Sequence, residues 1–351
     1  MSWNTEIARP DIRALQPYQH ATWEPGLVRL HANELPWRAP MDTSDSGLNR
    51  YPEPHPHQLA ARLATLYQAG DGAVLPCRGS DEAIDLLTRV YCRAGQDAVL
   101  ITPPTFGMYS VAARIQGAQV VEVPLRREFS YRLELPALLD ALTPAVKLVY
   151  VCSPNNPTGN LIDRATVLEL ARVLSGRALL VVDEAYVEFS GAPSLSAELD
   201  RHPGLVVLRT LSKAYGLAGA RCGALLAHPD IVGLLQRVIQ PYAVTQLTIE
   251  AVFRTLQPEN LVTARERTAA VVRERHRLAG ALAAHRAALR VWPSDANFLL
   301  VDFADPGAVL ERTHAAGLLV RDLRRTATLG QSLRISVGTP EQNDRLLATL
   351  P

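Results

Sequence analysis

The stretch RALLVVDEAYVEF, residues 177–189, is an apolar run that ends in a carboxylate at Asp183. The stretch VVLRTLSKAYGLAGARCG, residues 206–223, has the same form and carries Lys213 shortly after its apolar run. Short runs rich in β-branched residues predict strands that are buried on both faces of a sheet. Because ligand-binding residues gather at the carboxyl ends of parallel strands, the two stretches together predict a site at one edge of an α/β sheet.

Alternating helical and strand-like segments continue on both sides of these stretches and predict a largely parallel sheet flanked by helices, followed by a smaller α+β domain. The remaining strand candidates are Ala98–Ile101, Val120–Val123, Lys147–Cys152 and Ala224–Leu226, the last as an edge or antiparallel member. We predict three parts: residues 1–48 as an N-terminal arm, with little regular structure, and part of the small domain, 49–245 as the large domain, and 246–351 as the C-terminal small domain.

Composition excludes several classes of protein. The chain has 351 residues, and 48% of them are hydrophobic, which excludes a mostly disordered protein. Its formal net charge is +1, which does not favour binding to nucleic acid or to a membrane surface. No apolar run approaches the roughly 20 residues that span a bilayer, and no secretion signal is recognisable. The four cysteines lack CxxC spacing, so we expect reduced thiols of a cytoplasmic protein and no metal site.

Lysine is rare here, since Lys147 and Lys213 are the only two among 36 basic residues. Arginine cannot replace lysine where an amine must lose its proton and attack a carbonyl. One of the two is therefore a candidate covalent nucleophile, and a surface position suits Lys147 better. Thr210 and Ser212 before Lys213, with Arg221 after it, suit an anion held near a lysine-bound carbonyl. A helix N-cap with an incidental lysine is the alternative.

Three further side chains follow predicted strands. The carboxylate of Asp183 could keep a heterocyclic nitrogen protonated, and Tyr186 could donate to a phenolate oxygen on the same ring. A metal-binding Asp-Glu pair is the alternative, which the absence of a GxxxxGK[ST] loop weakens. Asn156, in CSPNNPTG, could donate its amide to that oxygen, or the segment could be a simple turn.

An anion site and a stacking ring are also indicated. Ser80 follows Gly79 at the start of a predicted helix, where free N–H groups bind phosphate, although capping alone would use the same residues. The face of Phe106, in PPTFGMY, could stack on a flat cofactor or simply fill core. A lysine amine, a carboxylate, phenol and amide donors, a phosphate site and a stacking ring are together what pyridoxal 5'-phosphate requires. Lys213 would then hold its aldehyde as a Schiff base.

The sequence resembles the fold-type I, class II pyridoxal-phosphate-dependent aminotransferases, and within them the histidinol-phosphate aminotransferase family. The resemblance covers almost the whole chain and is carried by LHANELP (30–36), NRYPEPHP (49–56), RGSDEAIDLL (78–87), PPTFGMY (103–109), CSPNNPTG (152–159), VVDEAY (181–186), TLSKAYGLAG (210–219), RCG (221–223), ANFLL (296–300) and LRISVGT (333–339). It implies transamination of L-histidinol phosphate with 2-oxoglutarate, giving imidazole-acetol phosphate and L-glutamate, in histidine biosynthesis.

The resemblance also implies roles for particular residues. It implies a homodimer in which Tyr51 reaches the cofactor phosphate of the other subunit, and it adds Asp81 to the cofactor site. The residues implied to bind substrate are Tyr18, Asn33, Arg321 and Arg334. Two alternatives keep the chemistry and change the substrate: an aromatic amino acid aminotransferase and a threonine-phosphate decarboxylase. A third, from another class, is a non-catalytic cofactor-binding regulatory protein.

Overall fold

The computed structural model describes residues 2–24, 26–326 and 328–351 and contains a seven-stranded and a four-stranded sheet. The strands of the large sheet are β1 (Val74–Cys77), β2 (Ala98–Ile101), β3 (Gln119–Glu122), β4 (Val146–Cys152), β5 (Leu179–Asp183), β6 (Leu205–Thr210) and β7 (Gly223–Ala227). They lie in the order β1-β7-β6-β5-β4-β2-β3. The five neighbouring strands β6, β5, β4, β2 and β3 are parallel to one another. The predicted α/β class with a mostly parallel sheet is confirmed.

Two strands of this sheet differ from expectation. Ala224–Leu226 was expected to form an edge or an antiparallel strand. The strand there, β7, is antiparallel, but it lies inside the sheet between β6 and β1. β1 was not predicted, and it forms one edge of the sheet. Its Pro76 is compatible with that position, because an edge strand need not donate from every backbone nitrogen.

Helices cover both faces of the large sheet, which explains why its central strands are continuously apolar. Alternate residues of β5 point to opposite faces, with Val181 in one apolar core and Leu180 and Val182 in the other. One face is covered by α4 (Ser80–Tyr91), α5 (Met108–Gln116) and α8 (Pro229–Gln236), and the other by α3 (His57–Tyr67), α6 (Leu135–Asp140), α7 (Arg164–Leu174) and α9 (Gln246–Thr255).

The second sheet is antiparallel throughout and has the order β10-β11-β9-β8. Its strands are β8 (Ala288–Val291), β9 (Phe298–Phe303), β10 (Arg321–Asp322) and β11 (Ser332–Ser336), and its helices are α10 (Pro258–Ala283), α11 (Pro306–Ala315) and α12 (Pro340–Thr349). Leu278 and Leu282 of α10 pack with Leu299 and Val301 of β9 in its core. This is the expected smaller α+β unit.

The N-terminal segment has more regular structure than expected, because two short helices, α1 (Trp3–Glu6) and α2 (Pro10–Ala14), precede a stretch without helix or strand among the described residues up to Pro56. Trp3 packs against the core below α4 and α8, and Arg9 N–H donates to Val90 O at 3.0 Å. These contacts are to elements of the large sheet. The predicted boundaries at residues 48 and 245 remain predictions. None of the helices described is both long and apolar enough to traverse a membrane.

Candidate active site

Three neighbouring parallel strands carry the predicted reactive residues to one edge of the large sheet. Asp183 is the last residue of β5, and it pairs with Cys152 of β4 on one side and Leu208 of β6 on the other. Asn156 follows the end of β4 by four residues, and Lys213 follows the end of β6 by three. Parallel strands end at the same side of a sheet, so the topology itself brings these side chains together.

Asp183 is a buried carboxylate that is nevertheless provided with donors. Only 3% of the residue is exposed, and burial raises the pKa of Asp183 to about 6. Tyr109 Oη donates to its Oδ2 at 2.8 Å, and Ala185 N–H donates to its Oδ1 at 3.1 Å. Because a carboxylate offers about four acceptor positions, two remain for a further donor. The site therefore suits a cationic N–H group.

Lys213 lies in the same region with its amine near Tyr186, since Nζ is 5.6 Å from the centre of that ring. Partial desolvation lowers the pKa of Lys213, and the nearby positive charge of Arg334 lowers it further. A cavity of about 570 Å³ opens beside Lys213 and is bounded by α10 and by Asn297 and Val337 of the small sheet region. A space of this size accepts a small organic molecule.

The predicted phosphate residues form a group that we call the phosphate cradle: Gly79, Ser80, Thr210, Ser212 and Arg221. A Cβ atom at Gly79 would lie 2.7 Å from Arg221 Nη2, and one at Gly223 would lie 2.8 Å from Ser80 N. Thr210 Oγ1 donates to Ser212 Oγ at 3.0 Å. The cradle joins the N-terminus of a 12-residue helix to a guanidinium and two hydroxyls, a donor set that suits a phosphate.

Asp81 also lies at this place, because Arg221 Nη2 donates to its Oδ2 at 3.1 Å. The carboxylate holds the guanidinium beside the first turn of α4. Arg221 itself is in the left-handed backbone region, with φ of +53°. The structure thus brings Asp81 to the cradle as a partner of Arg221.

A chain of contacts links the large sheet to the small one. The guanidinium of Arg334, on β11, donates to Asn156 Oδ1, and Asn156 Nδ2 approaches Tyr186 Oη at 3.4 Å. Arg334 also lies over the ring of Phe298, 5.3 Å from its centre, a support that sequence reasoning missed. Arg321 pairs with Arg334 across the β10–β11 ladder. The two arginines form a cationic end to the site.

The other implied residues lie elsewhere in the single chain. Tyr51 stacks on Tyr242 with ring centres 4.6 Å apart, and Tyr18 meets His20 edge-on at 5.4 Å. Asn33 is exposed and has a φ of +56°. The described residues of this one chain show no hydrogen bond from these three side chains to Lys213 or Arg334. Their roles remain predictions.

Phe106 is half-buried and meets Tyr109 edge-on, with ring centres 5.7 Å apart. The predicted stacking on a cofactor remains a prediction. Tyr109, by contrast, was not singled out, because a tyrosine in the first turns of a helix is typical of core packing. Its partner Asp183 is 74 positions away in sequence, so no local pattern could have indicated the contact.

Comparison with known proteins identifies the family of this chain and several similar proteins. Residues 30–350 match the family model "Aminotransferase class I and II". The chain belongs to the class I and II aminotransferases. Over 348 residues it is 47% identical to the histidinol-phosphate aminotransferase of Stenotrophomonas maltophilia, covering 98% of this chain and 95% of that protein.

Two other comparisons agree. The histidinol-phosphate aminotransferase of Xylella fastidiosa (strain 9a5c) is 44% identical over 349 residues, which cover 98% of this chain and 95% of that protein. The crystal structure of the Sinorhizobium meliloti histidinol-phosphate aminotransferase, in complex with pyridoxal-5'-phosphate, superposes with a TM-score of 0.78 at 27% identity. That superposition covers 87% of this chain and 82% of the other.

Proposed function

We propose that this chain catalyses the pyridoxal-phosphate-dependent transamination of L-histidinol phosphate with 2-oxoglutarate, giving imidazole-acetol phosphate and L-glutamate, in histidine biosynthesis. One observation carries the proposal. Lys213, the buried Asp183 and the phosphate cradle meet at one edge of the large sheet, beside the paired Arg321 and Arg334. Membership of the aminotransferase family and the names of the curated relatives support it.

The residues present fit pyridoxal phosphate. The cradle has no room for a Cβ at Gly79, so the backbone N–H groups that begin α4 are left accessible beside Arg221. Asp183 keeps acceptor positions free for a ring nitrogen, and Asn156 and Tyr186 offer donors to the ring oxygen. Phe106 would supply the stacking face. The bound cofactor supplies an aldehyde that links to a lysine amine and a ring that withdraws electrons from the substrate Cα.

The chain's own groups then have separable tasks. Lys213 is the proposed attachment point and general base, because burial and the positive charge of Arg334 lower the pKa of its amine and so favour the neutral form that can take a proton from the substrate Cα. Asp183, as a carboxylate, would keep the ring nitrogen protonated. The hydroxyl of Tyr186, whose pKa is raised by burial, stays protonated and can donate to the ring oxygen.

Two different anions must occupy the substrate end in turn: a phosphate monoester and a dicarboxylate. Arginine binds both through paired N–H donors. We assign Arg334 to the anionic end of either substrate, Arg321 with Tyr18 to recognition of histidinol phosphate, and Asn33 to the substrate site. Burial lowers the pKa of Arg334, and the nearby positive charge of Arg321 lowers it further. A bound anion would relieve that repulsion.

We propose a homodimer on the evidence of the N-terminal surface. Large apolar side chains there are strongly exposed, Leu30 to 91% and Met41 to 94%, together with Leu27, Val28, Leu35 and Trp37. Six large apolar side chains exposed within residues 27–41 suit an interaction surface. A second copy would cover these side chains and would bring Tyr51 toward the phosphate cradle of the other subunit. The four cysteines are buried and unpaired, which supports a cytoplasmic location.

The proposal is tested by steady-state rates with L-histidinol phosphate, phenylalanine and threonine phosphate as alternative substrates of the purified protein. We expect efficient turnover of the first, with parallel-line kinetics against 2-oxoglutarate. Negligible turnover of histidinol phosphate, with fast reaction of either rival, would assign the chain to one of the alternative activities. A protein that takes up no pyridoxal phosphate, or that takes it up and turns over none of the three, would favour the regulatory interpretation.

A further inference from the structure

Tyr109 is the one side chain that donates a hydrogen bond to Asp183 among the described residues, and it does so from a fully buried position. Its ring stacks on Tyr150 with centres 4.6 Å apart and planes inclined by 10°. Its edge relation to Phe106 has an interplanar angle of 82°. The three rings form an aromatic column (Phe106, Tyr109 and Tyr150) that holds the Tyr109 hydroxyl in place.

We propose that Tyr109 is a positioning residue that keeps Asp183 ionised and oriented, and so keeps the cofactor ring nitrogen protonated. The inference rests on the proposed function for the cofactor itself. It goes further than that function because it assigns the control of the carboxylate to Tyr109, which acts through its hydrogen bond to Asp183.

The electrostatics of the carboxylate explain why such a residue is needed. Burial raises the pKa of Asp183, and the Tyr109 hydrogen bond and then the Ala185 N–H oppose that rise. The pKa of Tyr109 is itself raised by burial and by the adjacent carboxylate, so the hydroxyl remains a donor. A carboxyl that became protonated in the loaded enzyme would no longer stabilise a proton on the ring nitrogen.

The other groups that face Asp183 cannot replace this donor. Cys152 lies on the neighbouring strand, and burial raises the pKa of its thiol, so it is neutral. Asp81 of α4 raises the pKa of Asp183 through its negative charge, whereas Lys213 lowers it weakly through its positive charge. Once Lys213 is engaged with the cofactor, Tyr109 and the Ala185 N–H are the donors that remain.

The test compares Tyr109→Phe with Tyr150→Phe in the full-length chain. Both variants remove one hydroxyl from the aromatic column and keep the rings, but the Tyr150 hydroxyl donates to Ile84 O, at 3.4 Å, and not to Asp183. The first measurement is an infrared titration of the carboxyl group in the cofactor-free protein, with Asp183→Asn to identify its signal. We expect Tyr109→Phe to raise the Asp183 midpoint by about one pH unit, a tenfold change in proton affinity, and Tyr150→Phe to leave it unchanged.

The second measurement is the nitrogen-15 chemical shift of ring-labelled pyridoxal phosphate bound to each variant. We expect Tyr109→Phe to move the signal from the protonated toward the unprotonated position, in the direction of Asp183→Asn, and Tyr150→Phe to match the wild type. An unchanged carboxyl midpoint, or an unchanged ring signal in Tyr109→Phe while Asp183→Asn moves it, would overturn the inference. If Asp183→Asn also leaves the ring signal unmoved, the cofactor role of Asp183 is wrong, and the infrared titration alone decides the effect of Tyr109 on the carboxylate.

Discussion

Arg321 lies directly across the antiparallel ladder from Arg334, as the paired Cα positions of β10 and β11. Two like charges on adjacent strands repel each other unless an anion lies between them. Arg334 also donates to Asn156, in the loop that follows β4 of the large sheet. Arg334 is therefore hydrogen-bonded to the edge of the large sheet, whereas Arg321 is exposed.

This pairing predicts different effects of the two arginines on the two substrates. Arg334→Met should raise KM for both glutamate and histidinol phosphate by about a hundredfold, as expected for a lost charged hydrogen bond of roughly 3 kcal/mol. Arg321→Met should raise KM mainly for histidinol phosphate. Arg324→Met is the control, because Arg324 pairs with Asp322 in the same hairpin. Equal KM values for all three variants and the wild type would remove both arginines from the site.

Lys213→Arg keeps the charge and should abolish both transamination and covalent attachment of pyridoxal phosphate, because a guanidinium cannot form the Schiff base. Turnover should fall by about four orders of magnitude, the upper range for loss of a general base. Hydride trapping followed by peptide mass spectrometry locates the label. Lys147→Arg is the matched control, since the Lys147 amine donates to Pro144 O at 2.9 Å, away from Asp183 and the phosphate cradle. Label at residue 147 would contradict the assignment.

Gly79→Ala should weaken cofactor binding. The new Cβ would lie 2.7 Å from Arg221 Nη2, and the backbone there has a φ of +77°. Strain of about 1–3 kcal/mol corresponds to roughly a 5- to 150-fold increase in Kd for pyridoxal phosphate. Equilibrium dialysis measures it. Gly70→Ala serves as the control, because nothing lies within 4 Å of its added Cβ. Equal affinities in both variants would argue against the cradle.

The raised pKa of Asp183 has a consequence for stability in the cofactor-free protein. The folded carboxyl binds its proton more tightly than the unfolded one, so its contribution to stability is present below pH 4 and is lost as pH rises through about 6. Asp183→Asn should therefore stabilise the cofactor-free protein at pH 8 by up to about 3 kcal/mol, and by little at pH 4. Urea unfolding at both pH values measures the difference.

Asp97→Asn is the control of opposite sign. Asp97 is also buried, but Arg93 holds it through hydrogen bonds at 2.7 and 3.0 Å, and the net pKa is lowered. Its ionised form stabilises the fold, so the substitution should destabilise the protein at pH 8. The same sign of change in both variants would contradict the interpretation of Asp183.

The proposed homodimer predicts that a charge in the N-terminal surface separates the subunits. Leu30→Asp and Met41→Asp should each shift sedimentation toward the monomer, because an unpaired charge buried at an interface costs several kcal/mol. Ile115→Asp is the control, since Ile115 is 76% exposed on α5, far along the chain from that surface. Dissociation by all three variants alike would mean that the N-terminal surface has no special part in assembly.

The sequence indicated the central strands and the edge residues because both depend on local patterns. Leu179–Asp183 is a continuous apolar run closed by a carboxylate, and in a sheet covered on both faces such a run predicts a strand with a functional end. The antiparallel partner of Arg334 could not be predicted, since register depends on contacts between distant segments.

Two further features were missed for related reasons. β1 is only four residues long and includes Pro76, so it lacks the features that normally predict a strand. The contact of Tyr109 with Asp183 joins α5 to β5 and exists only after the sheet has formed. The roles of Tyr18, Asn33 and Tyr51 remain predictions, and that of Tyr51 depends on the proposed second subunit.

The separation of the two sheets has an evolutionary consequence. Most residues proposed for the cofactor lie at the ends of strands of the seven-stranded sheet or at the start of α4, whereas the arginines proposed for the substrate lie on one short hairpin of the four-stranded sheet. Mutations in that hairpin can change which anionic substrate binds and leave the cofactor-binding residues unchanged. Substrate range can therefore evolve through single substitutions in the hairpin, each of which retains an active enzyme.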